Sequence, residues 1–256
     1  MTAPDLSIAR LATDLKVALV FYTRLPLAHD GTIAGEDLAR ASWAAPVAGA
    51  VVGALAAVVY GVAHAWGLGP LPAAGLAVAV TIALTGCLHE DGLADTVDAF
   101  GAGATPESRL AIMRDSRIGT FGACALIVSI GLRWAALASL TSPARAAAAL
   151  IAAHAAARAM PALLMWLTPP ARPDGLSAAA GLPPSDSVAA AALLGLVALV
   201  FALGLGKGLV ALVLLLVALG AVRQLALAKI GGQTGDVLGA LEQVAEVLVL
   251  LVAARG

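Results

Sequence analysis

The chain has 256 residues, of which 61% are hydrophobic and only 12% are charged. Soluble domains carry about 25% charged residues, so this composition excludes an ordinary water-soluble globule of this size. The net charge of −1 argues against nucleic acid as a partner, because nucleic-acid binding requires a basic surface. Cys87 and Cys124 lie in or beside apolar runs without Cys-x-x-Cys spacing, which predicts small core residues and not a disulfide framework or a zinc site.

The first predicted element is the segment 8–27, which contains Asp14, Lys16 and Arg24 and is interrupted at Pro26. Its mixed polarity predicts an amphipathic helix lying at the membrane interface and not a span. Residues 1–10 are polar and lack the features of a cleavable signal peptide. Insertion into the membrane is therefore expected to depend on the spanning helices.

Seven apolar runs follow that are long enough to be read as transmembrane helices. They cover residues 44–66, 71–88, 119–141, 144–168, 187–204, 208–222 and 237–254. The fifth and sixth are short and are separated by the glycine-rich residues 204–208. The sequence thus predicts an all-α, polytopic membrane helix bundle of about seven transmembrane helices with an N-terminal amphipathic interfacial helix.

The distribution of charge predicts which side of the membrane carries the chemistry. With the N-terminus inside and one crossing per span, ten basic residues are cytoplasmic and three lie outside. This distribution obeys the positive-inside rule. All sixteen acidic residues fall on the cytoplasmic side or just within the helix ends that face it. A multi-pass protein of the cell inner membrane, with an active site facing the cytoplasm, is predicted.

The strongest chemical motif is the acidic segment 89–98. Asp91, Asp95 and Asp98 are spaced i, i+4, i+7, which places three carboxylates on one helical face. Three like charges repel one another, so a cation is expected among them, and oxygen ligands suit Mg²⁺. A solvated acidic helix face is the alternative, although ionisable groups at a membrane boundary generally serve function.

A second motif lies in residues 113–122. Asp115 is predicted to complete the metal shell, and the guanidinium fork of Arg117 suits a phosphate. Arg114 is a second candidate for substrate binding. The alternative reading makes Arg114 and Arg117 simple anchors on the positive side of the membrane.

The third motif is the glycine-rich turn 231–236, which leads into the last span. Gly232, Thr234 and Gly235 are predicted to form a phosphate cradle at a helix N-terminus. Asp236 belongs to the same predicted substrate site, although it could equally be the N-cap of the helix.

Three ionisable residues inside the spans are further predicted substrate-binding groups. Glu242 and Glu246 lie four residues apart on an apolar helix, so both are expected to face the bundle interior. Arg158 is predicted to pair with a carboxylate or with the substrate. For Glu246 two roles remain open, as the partner of Arg158 or as part of the lining of a polar cavity, and the second is favoured.

The chain resembles the cobalamin synthase family, the adenosylcobinamide-GDP ribazoletransferases. The similar blocks are residues 21–26, 89–98, 114–122 and 231–236, together with Glu242 and Glu246. They extend over essentially the whole chain, which implies a single integral-membrane catalytic domain over residues 1–256. One departure is Cys87, where the family pattern has a second glycine after Gly86, and it is expected to affect packing more than chemistry.

This resemblance implies transfer of the adenosylcobinamide phosphoryl group from adenosylcobinamide-GDP to α-ribazole or its 5′-phosphate. The expected products are GMP and adenosylcobalamin or its 5′-phosphate. The ribazole 5′-hydroxyl is expected to attack the cobinamide-side phosphorus, and such transfers depend mainly on positioning and charge neutralisation.

The resemblance also assigns roles to individual residues. Mg²⁺ is the implied cofactor, Arg117 is expected to bind the phosphates, and His89 or a freed carboxylate is expected to accept the hydroxyl proton. Arg24 is implied as a substrate-binding residue. Other corrinoid-pathway enzymes are implied partners, and a homo-oligomer is left open. The implied metal ligands are Asp91, Asp95, Asp98 and Asp115.

Two alternatives from other classes remain at this point. A CDP-alcohol phosphotransferase also uses helix-borne aspartates, but here the spacing is Asp-x-x-x-Asp-x-x-Asp and no arginine follows the alanine. A cation transporter predicts carboxylates near the middle of the membrane, in paired broken helices.

Overall fold

The computed structural model describes residues 7–28 and 33–255 of the chain. Within these ranges there is no β-strand, which confirms the all-α prediction, and the only bridge joins Pro170 to Gln233. The helices are α1 (Ile8–Tyr22), α2 (Gly35–Arg40), a short 3-10 helix (Ala41–Ala44), α3 (Ala45–Ala65), α4 (Pro70–Thr85), α5 (Leu88–Ala102), α6 (Pro106–Ile112), α7 (Thr120–Ala138), α8 (Pro143–Leu167), α9 (Leu176–Ala180), α10 (Ser185–Ile230) and α11 (Gly235–Ala254).

Five helical segments in the described ranges are long and apolar enough to cross a membrane. They are Gly35–Ala65, which joins α2, the 3-10 helix and α3, and the helices α7, α8, α10 and α11. A sixth is counted if α4 and α5, which meet at an angle of 88°, form one bent span. A membrane protein is thus confirmed. The predicted total of about seven spans is not confirmed, because the predicted span 71–88 falls on a helix of only 16 residues, Pro70–Thr85, that turns sharply at its end.

The predicted fifth and sixth spans both lie in α10, which has 46 residues. A straight helix of that length would extend roughly 70 Å, more than twice the apolar thickness of a bilayer. Gly204 interrupts α10 with φ 78° and ψ 163°. Gly208 then packs closely against the backbone of Leu199 and Val200, so the two arms of α10 fold back on one another.

Helix α8 is the centre of the bundle and contacts α3, α10 and α11. Its sequence is rich in alanine, and small residues allow helices to approach closely inside a membrane. On α3, Gly49 and Gly53 face the α8 backbone at His154 and Leu150, where an added Cβ would collide. This small-x-x-x-small pattern leaves room for the long side chain of Arg158, which passes beside Gly49.

Helix α1 ends at Tyr22, before the predicted end of its segment at residue 27. Thr23 is extended, and its hydroxyl donates a hydrogen bond to the carbonyl of Leu19, which closes the last turn. Asp14 faces inward, where it accepts hydrogen bonds from Arg40 at 2.9 Å and from Trp43 at 3.1 Å. The interfacial role of α1 stays a prediction.

Both cysteines are free, which confirms that they form no disulfide, but both are exposed. The prediction that they are small core residues is therefore wrong. Cys124 lies on the outer face of α7, and Cys87 lies at the bend between α4 and α5. Apolar flanking sequence does not separate the outer face of a membrane helix from its inner face, because both faces are apolar.

Candidate active site

The acidic motif lies on α5, directly after the bend that ends α4. Gly86 and Cys87 both adopt left-handed backbone conformations, with φ 63° and φ 61°, and they turn the chain. Cys87 is the only described non-glycine residue with a positive φ. A glycine after Gly86 would adopt this conformation without strain, which explains the glycine expected there from the family resemblance. The prediction that 89–98 is helical is confirmed.

Helix α5 crosses α11 through a contact of two glycines. Gly92 lies against the backbone of Asp236, and an added Cβ on Gly239 would lie 3.4 Å from the Cα atom of Gly92. This close crossing brings the start of α11 beside the acidic face of α5. Asp95 accordingly lies within electrostatic range of Asp91 and Asp236. We call Asp91, Asp95 and Asp236 the acidic cluster.

The acidic cluster has the donor chemistry that Mg²⁺ requires. It supplies carboxylate oxygens only, and Mg²⁺ binds proteins through one or two carboxylates while retaining waters and substrate phosphates. Asp91 is exposed and Asp95 is half-buried. In the described part of the chain neither makes a salt bridge, so their charges are not compensated by protein groups. The residues therefore fit the predicted metal, with Asp236 as a ligand candidate in addition to the predicted ones.

Asp98 is placed differently from the other aspartates of the motif. Its carboxylate oxygens accept hydrogen bonds from the backbone N–H groups of Gly119 at 2.7 Å and Gly122 at 2.8 Å. These are unpaired donors of the first turn of α7, so Asp98 caps α7 from a neighbouring helix. An added Cβ at either glycine would collide with this carboxylate. The geometry supports a positioning role, and metal binding by Asp98 stays a prediction.

Asp115 and Arg117 lie in the loop between α6 and α7. Arg117 donates hydrogen bonds to both carboxylate oxygens of Asp115, the shorter of them at 2.6 Å. These bonds lower the pKa of Asp115 to about 2, so it stays ionised at physiological pH. Asp115 shows no described contact with Asp91 or Asp95. Its place in the metal shell and the phosphate role of Arg117 stay predictions.

The glycine-rich turn 231–236 is held by the loop that follows α8. Gln233 N–H donates to the Pro169 carbonyl at 2.9 Å, and Ala171 N–H donates to the Gln233 carbonyl at 2.8 Å. Gly232 packs against this same loop, where an added Cβ would collide. The pairing places Arg172 at the N-terminus of α11, with Nη2 3.9 Å from Asp236 Oδ2.

The cap of α11 is Thr234. Its hydroxyl accepts a hydrogen bond from Val237 N–H at 3.4 Å and donates one to Asp236 at 3.1 Å. The alternative that Asp236 is itself the N-cap is therefore wrong. Thr234 is buried and Gly232 is covered by the loop after α8, so of the four predicted substrate-binding residues in this turn only Gly235 and Asp236 face open space.

A cavity of about 340 Å³ opens beside the acidic cluster. Its walls come from α1, α2, α5, α8, α9 and the start of α11. His89, Asp91, Arg172 and Asp236 lie together at its polar end. Tyr22 of α1 also lines the cavity and stacks on the ring of His89, with the ring centroids 5.9 Å apart.

A second group of charges is buried in the middle of the bundle. Arg158 lies 3.0 Å from Glu242, and Arg133 lies 2.9 Å from Glu90 and 3.3 Å from Glu246. His154 Nε2 is 3.3 Å from the same oxygen of Glu246. Every residue in this group is 5% exposed or less. We call the group the buried network; it consists of Glu90, Arg133, His154, Arg158, Glu242 and Glu246.

The buried network corrects one pairing expected from the sequence. The carboxylate partner of Arg158 is Glu242, and Glu246 instead pairs with Arg133 and His154. None of these residues lines the cavity. His154, Glu242 and Glu246 also place ligand atoms within 4.8 Å of one another. Glu242 and Glu246 already pair with arginines, so neither carboxylate is left free for a cation.

The network meets the cavity at His89. Its Nδ1 lies 3.4 Å from Glu242, while its Nε2 has no hydrogen-bond partner in the described part of the chain. A histidine with one nitrogen held by a carboxylate and the other free has the arrangement of an oriented base.

Arg24 and Arg114 lie apart from the cavity. Arg24 is exposed and lies over Gly86 at the bend, where its backbone N–H donates to the Leu84 carbonyl. Arg114 pairs with Asp174 in the loop after α8. The substrate roles predicted for both arginines stay predictions.

Sequence reasoning missed Arg172, Glu90 and Arg133. From the sequence Arg172 is only one of the cytoplasmic positive charges, because its loop has no motif of its own. Arg133 gave a usable signal, since a charge in the middle of a span requires a partner. Glu90, directly after His89, is that partner.

Comparison with known proteins connects this geometry to one family. Residues 14–254 match the family model described as cobalamin-5-phosphate synthase. A relative from Bradyrhizobium diazoefficiens, named adenosylcobinamide-GDP ribazoletransferase, is 54% identical over 97% of this chain and 95% of its own length. Relatives of the same name from Mesorhizobium japonicum and Azorhizobium caulinodans are 49% and 48% identical, over 99% and 95% of this chain and 98% and 96% of their own lengths. No solved structure matches the chain.

Proposed function

Because the chain belongs to the cobalamin-5-phosphate synthase family, we propose that it transfers the adenosylcobinamide phosphoryl group from adenosylcobinamide-GDP to α-ribazole or its 5′-phosphate. GMP is the second product. The observation that carries the proposal is the acidic cluster, in which Asp91 and Asp95 make no salt bridge in the described part of the chain. It lies beside a cavity whose lining includes His89 and Arg172. Phosphoryl transfer needs this combination of charge stabilisation and positioning.

The bonds that form and break in the transfer, and the phosphate already on the acceptor, identify the acceptor oxygen that reacts. A ribose oxygen forms a bond to the cobinamide-side phosphorus, and the bond from that phosphorus to the bridging oxygen breaks, with its electron pair leaving on GMP. The family description names a 5-phosphate in the product. An acceptor that already carries a 5′-phosphate has no free 5′-hydroxyl. The nucleophile is therefore a hydroxyl of the ribose ring, which corrects the 5′ attack expected from the sequence.

The residues of the site would bind the metal ion and accept the proton of the nucleophile. Asp91, Asp95 and Asp236 would hold Mg²⁺, which when bound neutralises charge on the phosphate oxygens. His89 Nε2 would accept the proton of the attacking hydroxyl. Glu242 beside His89 Nδ1 favours a proton on that nitrogen and leaves Nε2 free to act as the base.

The transfer is tested with the full-length protein in lipid nanodiscs. Adenosylcobinamide-GDP and α-ribazole 5′-phosphate together should release GMP in a Mg²⁺-dependent reaction, and omission of either substrate should abolish the release. A preparation that binds both substrates but forms neither GMP nor a corrinoid nucleotide would contradict the proposed activity.

The cation-transporter alternative lacks a supporting observation. The described structure contains one bent helix pair, α4 with α5, whereas the transporter arrangement uses paired broken helices. In the middle of the bundle, Glu90 pairs with Arg133 and Glu242 pairs with Arg158. The spacing of the aspartates and the family match likewise favour the ribazole transfer over a CDP-alcohol phosphotransferase.

For the membrane we propose seven crossings, with the bent pair α4 and α5 counted once and the two arms of α10 counted separately. The N-terminus and the acidic cluster are then cytoplasmic, and the membrane is the cell inner membrane. The support is the excess of basic residues on that side, ten against three, and the break at Gly204. Other corrinoid-pathway enzymes as partners, and self-association, stay predictions.

Cysteine labelling tests this orientation. In a background carrying Cys87→Gly and Cys124→Ala, a cysteine at Thr105 should react with an impermeant maleimide only after the inner membrane is opened. A cysteine at Ser142 should react from the periplasm of intact cells. The reverse pattern would overturn the orientation.

A further inference from the structure

The cavity beside the acidic cluster has one polar and one apolar part. Phe21 and Tyr22 of α1 and Met165 of α8 contribute to its apolar wall. At about 340 Å³ it is near the lower end of the roughly 300–1,000 Å³ range of small-molecule sites. A mononucleoside is of the right size for such a space. A corrinoid macrocycle is several times larger than this volume, so the whole macrocycle does not fit inside.

Two polar atoms at this cavity have no partner. His89 Nε2 and Arg172 Nη1 are buried and make no hydrogen bond in the described part of the chain. The nearest carboxylate oxygen to Arg172 is that of Asp236, at 3.9 Å, which exceeds hydrogen-bond distance. Buried donors are normally satisfied, so Arg172 is arranged for an acceptor that the protein itself does not supply.

The backbone at Arg172 is held by hydrogen bonds of the loop that carries it. The preceding residue, Ala171, is paired with Gln233, which ties the loop after α8 to the turn before α11. An arginine on such a fixed support can present its guanidinium to a phosphate in one geometry. The same face of the cavity carries the N-terminus of α11, at Gly235, where backbone N–H groups favour an anion.

We propose, building on the ribazole transfer proposed above, that this cavity is the acceptor site and that Arg172 binds the acceptor's 5′-phosphate. Ribazole is a nucleoside with a substituted benzimidazole base. The base packs against the apolar wall at Phe21, Tyr22 and Met165, and the ribose lies at the polar end beside His89. The corrinoid donor stays outside the cavity and presents only its pyrophosphate to the acidic cluster.

The decisive variant is Arg172→Gln, measured in nanodiscs with three substrates. Relative to the wild type, the KM for α-ribazole 5′-phosphate should rise roughly 10- to 100-fold, since a charge-assisted contact is lost. The KM for α-ribazole should change less than about threefold, and the KM for adenosylcobinamide-GDP should stay the same. The matched control is Arg10→Gln, which removes an exposed charge on α1 outside the cavity and should change none of the three.

A second variant tests the apolar part of the same site. Met165→Trp reduces the free volume of the cavity, so the KM values for both acceptors should rise while the donor KM is unchanged. If Arg172→Gln raises the KM of both acceptors equally, or raises only that of the donor, Arg172 does not hold the acceptor phosphate. A donor KM that rises with Met165→Trp would show that the cavity takes part of the donor.

Calorimetric titration of α-ribazole 5′-phosphate without donor separates this inference from the transferase activity. Weaker binding to Arg172→Gln than to the wild type supports the acceptor site even if no GMP is formed. Equal binding to both proteins, together with normal GMP release, overturns the acceptor site and leaves the transferase intact.

Discussion

Helices α5 and α11 each carry carboxylates of two kinds. On α5, Asp91 faces the cavity while the adjacent Glu90 pairs with Arg133, and on α11, Asp236 faces the cavity while Glu242 pairs with Arg158. The two aspartates of the acidic cluster on α5 make no salt bridge in the described part of the chain. In the buried network all three carboxylates pair with an arginine, since Arg133 is shared by Glu90 and Glu246 and Arg158 pairs with Glu242. The difference indicates that charge in the network holds helices together and that charge in the cluster is kept available for a ligand.

The largest expected effect on stability comes from removing the carboxylate partner of an arginine in the buried network. Glu242→Gln leaves Arg158 without its carboxylate partner, which should destabilise the protein by about 3–5 kcal/mol. Glu246→Gln should cost less, because Arg133 keeps Glu90. The melting temperature and the yield in detergent should therefore fall further for Glu242→Gln than for Glu246→Gln. Normal stability of Glu242→Gln with lost activity would show that Glu242 serves the reaction, through His89 or the substrate, and does not hold the helices together.

Substitution in the acidic cluster should lower activity without lowering stability. Asp91→Asn or Asp95→Asn should lower the rate of GMP release by at least about 100-fold, the scale of losing one charge-stabilising group. The melting temperature should stay the same or rise, since repulsion within the cluster decreases. EDTA should abolish the activity of the wild type. Asp186→Asn, at an exposed site on α10, is the control and should retain activity; a cluster variant with normal turnover would contradict the metal site.

Asp98 lies in the same motif but should behave as a structural group. In Asp98→Asn one carboxylate oxygen becomes an NH₂ group that faces a backbone donor of α7, which should cost about 1–3 kcal/mol of stability. We expect a melting temperature clearly below that of Asp91→Asn, with a smaller loss of turnover. An unchanged melting temperature with a loss of activity as large as that of Asp91→Asn would favour the metal role predicted for Asp98.

The smallest expected effect concerns the bend that leads into the acidic helix. Cys87→Gly removes the strain of a left-handed non-glycine residue and should stabilise the protein by about 1 kcal/mol without changing turnover. The matched control is Cys124→Gly in the middle of α7, where glycine should destabilise by about 0.5–1 kcal/mol. Melting temperatures that move in the same direction for both variants would contradict the strained bend.

Composition and periodicity were enough to predict the helical membrane architecture, the helical acidic motif and the turn before α11. These features depend on local chemistry: apolar length, i, i+4 spacing and glycine content. Boundaries were less predictable. The span 71–88 ends at a left-handed bend, and the predicted fifth and sixth spans lie in one helix interrupted at Gly204. A backbone turn inside an apolar run leaves no trace in hydropathy.

The sequence by itself determined the class of protein, its family and the acidic residues on which the proposed chemistry depends. Only the tertiary structure decided which of those residues share a site. Glycine contacts at Gly92 and Gly239 bring Asp236 to Asp91 and Asp95, while Asp98 is directed to the start of α7 and Glu242 to Arg158. Arg172 reaches the cavity through the pairing of two loops that are about sixty residues apart in the chain. The physical reason is that a carboxylate looks the same in a sequence whether its partner is a metal, a backbone N–H or an arginine, and the helix crossings select that partner.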